Sequence, residues 1–290
     1  MKSEKSSLLR PSGRSRFKLL WRLRPRRVPI VYHPEVLGSV CARQSRQSFD
    51  PYKFKKIRTR LVREKLVSPK HLLHPEPASE EDLLRVHTHT YLARLKNPQV
   101  VAQLLHLDYV DLWDNYVLRY FRSMCGGTLL AAEQALATGR VGFHLGGGYH
   151  HAFPDRGGGY CLLNDVAVAI RSLFARQWVQ RVLIVDLDAH QGDGLLEIFS
   201  QDPRVFHFDI HADSWITVEK KEQKCIALSH DTGDEGYLSV LSGELPGVFA
   251  SFRPELVFYL AGSDPYQKDP LGPLALSEAG LLARDRMVFE

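Results

Sequence analysis

Arg181-Val182-Leu183-Ile184-Val185-Asp186-Leu187-Asp188-Ala189-His190 (181–190) is the stretch that decides the fold. Four apolar, mostly β-branched residues between a base and an acid read as a strand buried on both faces, the kind found in parallel sheets covered by helices. Outward from it, helical patterns occupy 162–177 and 193–200, and a second strand reads over 204–210. Residues 235–252 read as mostly helix, interrupted near Pro246-Gly247, and 255–260 as a further strand. Upstream, 141–145 is a strand running into Gly146-Gly147-Gly148, and 116–138 is a helix stopping at Gly139. A helix capped by Ser79 begins in 78–84, a basic amphipathic surface helix covers 50–66, and a first strand lies at 29–32. This alternation implies one α/β domain with a mostly parallel sheet and helices on both faces.

In such sheets ligands bind beyond the carboxyl ends of the strands. The polar clusters fall there. His150-His151 follow the triple glycine, Asp186, Asp188 and His190 follow strand 181–186, Asp209 and His211 end the next strand, and Asp264 follows the strand ending at Leu260. An Asp-x-Asp at a strand end is, by itself, an ordinary solvated turn. Here it is followed by His190-x-Gly192-Asp193 and joined by a distant Asp264-Pro265. Two carboxylates and an imidazole (Asp188, His190, Asp264) suit Zn²⁺ and leave a coordination position open for water. The tandem His150-His151 supplies a general base and acid, with Asp186 and Asp193 available as the carboxylates that orient them. The glycine-rich 155–161 loop lacks Gly-Lys-Ser/Thr and is not a phosphate loop; its Tyr160 is placed to line an apolar channel.

Bulk properties narrow the class. The chain has 290 residues, 44 % hydrophobic and 24 % charged, an ordinary globular composition. The net charge of +5 is uneven: residues 1–30 hold ten Lys/Arg and one acid, leaving a body of about −4. Residues 1–28 therefore read as a basic, disordered tail, with 29–290 as the folded domain. The tail's Arg/Ser-rich, acid-poor make-up is also that of an organelle transit peptide. No apolar run is long enough to span a bilayer. Four cysteines without a C-x-x-C pair suit a reducing, intracellular compartment, cytoplasm or nucleus. Nothing reads as a sequence-specific nucleic-acid motif, and oligomeric state is not encoded in any visible pattern.

Three blocks, YHHAFPDRGGGYCLLND (149–165), VDLDAHQGDG (185–194) and LAGSDPYQKDPLG (260–272), resemble the histone deacetylase superfamily, which includes acetylpolyamine amidohydrolases. ASEEDLLRVHTHTYL (78–92) and LSEAGLLARDRMVF (276–289) are most similar to its class IV branch and bacterial relatives. The resemblance runs from about residue 29 to the end. It implies a three-layer α/β fold around an eight-stranded, mostly parallel sheet, with Asp188, His190 and Asp264 as zinc ligands. It also implies His150 and His151 as proton-handling residues, Asp186 and Asp193 behind them, and Gly159-Tyr160 beside the acyl-lysine tunnel. A structural K⁺ is implied at Asp186 and Asp188 with backbone near His190 and Asp209-Ile210. The implied reaction is hydrolysis of an N-acyl-lysine on a protein or peptide, or of another acylated amine. One departure stands out. The superfamily's later Gly-Gly-Tyr segment, which donates a hydrogen bond to the substrate carbonyl, does not occur before Glu290, so the last strand and helix of the fold are expected to be missing. Tyr266 is the substitute donor within reach of the sequence. That departure makes a weakly active or non-catalytic acyl-lysine binder, or a polyamine or small-amide deacetylase, the alternative readings. An arginase-like binuclear hydrolase fits less well, for want of further acids in Asp-x-His-x-Asp form.

Overall fold

The computed structural model describes residues 28–34, 50, 52–107, 116–217 and 220–290; the expected basic tail falls almost wholly outside them. In chain order the elements are β1 (Ile30–Tyr32), α1 (Lys53–Arg63), β2 (Leu72–Leu73), α2 (Glu80–Leu84), α3 (His89–Arg94), α4 (Pro98–Leu104), α5 (Tyr116–Thr138) and β3 (Phe143–Leu145). They continue with α6 (Asp165–Ala175), β4 (Val182–Asp186), α7 (Asp193–Ile198), β5 (Val205–His211), β6 (Gln223–Ala227), α8 (Asp234–Phe252), β7 (Leu256–Leu260) and α9 (Glu278–Phe289).

Every residue of β4 is buried, as its unbroken apolar run requires. Its side chains alternate between two cores. Val182 and Ile184 pack with α6 residues Val166, Ile170 and Leu173 and with Phe258 of β7. Leu183 and Val185 pack on the opposite face with Phe208, Ile210 and the α8 residues Tyr237, Leu241 and Leu245. Helices thus cover both faces of a parallel sheet ordered β6-β5-β4-β7. A second parallel sheet is ordered β2-β1-β3, and α5 packs on β1, β3 and β7, backing both sheets.

Among the described residues the seven strands pair as a three-stranded and a four-stranded sheet, with no ladder joining β3 to β7. One expectation needs correction. The helix 235–252 is not interrupted: α8 runs from Asp234 to Phe252 with Pro246 inside. Pro246 and Gly247 lie on its exposed side while Leu241, Leu245 and Val248 anchor the other, so one missing backbone bond is left to solvent. β6 escaped the sequence reading because it is an edge strand, only half-buried, and carries Lys224 and Cys225 rather than an apolar run. Among the described residues no helix is long and apolar enough to cross a membrane.

Candidate metal centre

The parallel register sets the site. Asp186, at the end of β4, lies level with Asp209 on β5 and Leu260 on β7, so the loops that follow these strands leave one edge of the sheet together. The β4 loop carries Asp188 and His190, and the β7 loop carries Asp264. One donor atom from each of these three lies within 4.8 Å of the others. His190 Nδ1 is 2.7 Å from Asp264 Oδ2 and 3.1 Å from Asp188 Oδ1. Backbone bonds fix the carboxylates: Ala189 N donates to Asp264 Oδ1 and His190 N to Asp188 Oδ1. Gly262 is obligatory between the loops, since a Cβ there would sit 2.6 Å from Asp188 Cα. Behind them the buried Arg284 of α9 donates from Nη1 to Leu187 O (3.1 Å) and Gly262 O (2.7 Å), joining the two ligand-bearing loops.

The electrostatics are those of a strongly coupled acid cluster. Hydrogen bonds to Asp188 and Asp264 raise His190 to a pKa of about 10. Burial and the charge of Asp188 raise Asp264 to about 6. Burial works against ionisation of Asp188, but the charge of His150 and the His190 bond hold it well below the usual carboxylate range. Protons therefore occupy a space where a cation would satisfy the same lone pairs, and metal binding would release them.

The tandem histidines stand beside this cluster. The buried His150 Nδ1 is 2.8 Å from Asp186 Oδ2, and its Nε2 is 3.8 Å from Asp188 Oδ1. His151 Nδ1 is 2.8 Å from Asp193 Oδ1. The rings are only 4.0 Å apart, and their shifts oppose each other. Burial disfavours charge on His150, but Asp186 and Asp188 outweigh it and raise the pKa to about 10. Burial and the neighbouring His150 charge lower that of His151. The segment is held from below. Asp165 Oδ1 accepts from Tyr149 N (2.8 Å) and its Oδ2 accepts from Gly148 N and Thr128 Oγ1, pinning the glycine loop. Asn164 Nδ2 donates to Ala152 O (3.0 Å) on the other side of the histidines. Gly159, at φ +50, passes so close that a Cβ would lie 2.2 Å from His151 Cδ2; Tyr160, at φ +65, follows it with its ring 4.9 Å from that of His106.

Several participants carried no sequence signal. Trp215, 52 % exposed, lies 5.2 Å from His151 and 5.9 Å from His190, ring to ring. The buried Gln191 holds it there by accepting from Trp215 N and Ile216 N and donating to Ile216 O. His207 joins Asp186 and Asp209 in a second, wholly buried three-donor group, whose donor types are again consistent with a zinc site. Tyr266 does not turn to the metal cluster with its hydroxyl, which donates to Glu278 Oε1 on α9.

A histone deacetylase domain matches residues 47–290. The chain belongs to the histone deacetylase family. Histone deacetylase 2 of Arabidopsis thaliana is 35 % identical over 280 residues, covering 91 % of this chain and 70 % of that protein. An uncharacterised protein of Picosynechococcus is 34 % identical over 262 residues, 90 % of this chain and 86 % of its own length. The crystal structure of a deacetylase homologue from Aquifex aeolicus superimposes with a TM-score of 0.76 at 24 % identity, over 91 % of this chain and 76 % of that one. This likeness bears on the fold, and it makes the parallel α/β architecture that of the histone deacetylase fold. Membership of this family of hydrolases implies a zinc-dependent amidohydrolase acting on acyl substrates.

Proposed function

We propose that this domain hydrolyses N-acyl amides, with the acyl-lysine side chain of a protein or peptide as substrate. The observation that carries the reading is the convergence of Asp188, His190 and Asp264 within 4.8 Å, next to two histidines that are each backed by a carboxylate. Asp188, His190 Nδ1 and Asp264 would hold zinc. When bound, zinc polarises an amide carbonyl and acidifies water. Asp193 fixes the His151 ring through Nδ1 and leaves Nε2 as the proton acceptor. Its lowered pKa keeps it in the basic form, so it takes the proton of the attacking water and returns one to the departing amine. Asp186 holds the His150 ring through Nδ1 and leaves its Nε2 beside the ligand Asp188, where it can donate to the reacting group. Tyr160 and Trp215 supply aromatic walls for an aliphatic side chain, and the mildly acidic body favours a cationic peptide.

The test is deacylation of a fluorogenic acetyl-lysine peptide by the purified protein, with its metal content measured in parallel. Chelation is expected to abolish turnover, and added zinc to restore it. His151→Ala is expected to lower kcat by about 10²–10⁴ with zinc retained. Turnover that survives chelation sinks the metal mechanism, and an unchanged kcat in His151→Ala sinks the proton-transfer role.

A further inference from the structure

The reaction above leaves His207 and Asp209 without a task, and His207 sets an imidazole nitrogen beside Asp186 and Asp209, where the family resemblance implies only oxygens around a potassium ion. Potassium is bound by oxygens, whereas an imidazole nitrogen suits zinc and its first-row neighbours. The His207 ring is wholly buried, and among the described residues neither of its nitrogens has a hydrogen-bond partner. Its Nε2 lies 3.8 Å from Asp186 Oδ2 and 3.7 Å from Asp209 Oδ2. These distances are too long for hydrogen bonds but shorter than two metal–ligand bonds of about 2.0–2.2 Å laid end to end. The backbone puts the donors together. His207 and Asp209 are two apart on β5 and so share a face, and Asp186 is in register with Asp209 on the neighbouring strand. Both carboxylates are wholly buried. Asp186 Oδ2 already accepts from His150, and Asp209 accepts from His211 Nδ1 and Gly192 N. Gly192 keeps the shared space open: a Cβ there would meet Asp186 Oδ2 at 2.6 Å, His207 Cε1 at 3.2 Å and Asp209 Oδ2 at 3.3 Å. An unpartnered buried imidazole aimed between two buried carboxylates lacks only positive charge.

We propose that Asp186, His207 and Asp209 form a second, closed site for a divalent first-row transition ion, so that the loaded chain carries two such ions rather than one. Being buried, this ion ties β5 to the end of β4 and shares Asp186 with His150. Only the count of two rests on the zinc assignment made above for Asp188, His190 and Asp264.

The experiment is metal counting by mass spectrometry on the full chain, loaded with Zn²⁺ or Co²⁺ in sodium buffer, desalted, and repeated in potassium buffer. Two ions per wild-type chain are expected in both buffers, one in His207→Leu and a different one in Asp264→Ala. A single ion in wild type that Asp264→Ala removes and His207→Leu keeps overturns the proposal. So does potassium that drives the second ion out, or a second ion that persists in His207→Leu. If Asp264→Ala keeps both ions while His207→Leu loses one, the second site stands and the zinc reading falls. The wild-type count needs no variant; should His207→Leu not fold, His207→Gln serves the comparison.

Discussion

His87 shows how one residue can couple pH to stability without touching the chemistry. It is buried, its Nδ1 donates to Phe153 O at 3.0 Å, and its Nε2 accepts from Asn164 N at 3.1 Å, a bond that requires the neutral ring. Burial lowers its pKa to about 4. The unfolded chain, with an ordinary histidine pKa of about 6.5, binds the proton that the folded one refuses. This contribution to stability is therefore complete above pH 6.5 and declines as pH falls towards 4, by up to ~3 kcal/mol. Denaturant titrations at pH 7 and pH 4.5 should show the loss in the wild type and a shallower one in His87→Gln. An unchanged pH slope in that variant would remove His87 as the cause. At the metal centre adjacent rings 4.0 Å apart, His150 and His151, take opposite shifts: Asp186 and Asp188 outweigh burial at His150, whereas burial and the charge of His150 prevail at His151.

At the scale of elements, α6 does more than fill the core. Its cap, Asn164, is wholly buried; Oδ1 accepts from Ala167 N while Nδ2 reaches Ala152 O. The cap thereby links the helix start to the backbone just beyond His151. Ser79, which caps α2, is exposed and serves that helix and the adjacent Asp82 alone. Asn164→Ala should cost ~2–3 kcal/mol, a lost cap plus an unsatisfied buried carbonyl, against ~1 kcal/mol for Ser79→Ala. Only the former should also lower kcat. Equal costs in chemical denaturation would show that the link to the histidine segment carries no energy.

At the scale of the whole molecule, the two ligand-bearing loops belong to different strands and are held together by α9. Arg284 is 2 % exposed and donates to Leu187 O and Gly262 O, with Asp285 accepting from its Nε and Nη2. Arg284→Met leaves two carbonyls without their donor and should destabilise the fold by ~2–4 kcal/mol. It should also weaken zinc binding, measured by chelator competition, with partial rescue by Arg284→Lys. Zinc affinity equal to wild type in folded Arg284→Met would confine the residue to packing.

The sequence alone marked the strand 181–186, the alternation of helices and strands, and Asp188, His190, Asp264, His150, His151, Asp186 and Asp193 as candidate site residues. Those signals are local: a parallel strand needs an unbroken apolar run, and polar residues stranded at its end have few structural uses. The tertiary structure decided what joins across the chain. Asp264 meets His190 from 74 residues away, Trp215 reaches His151 from a loop without a motif, and Arg284 looks on paper like any charged residue of a surface helix. His207 sat in plain view in a β-strand, yet its burial between Asp186 and Asp209 depends on strand register. Pairing between strands, and the electrostatics of groups brought together by it, are set by contacts that no neighbouring residue encodes.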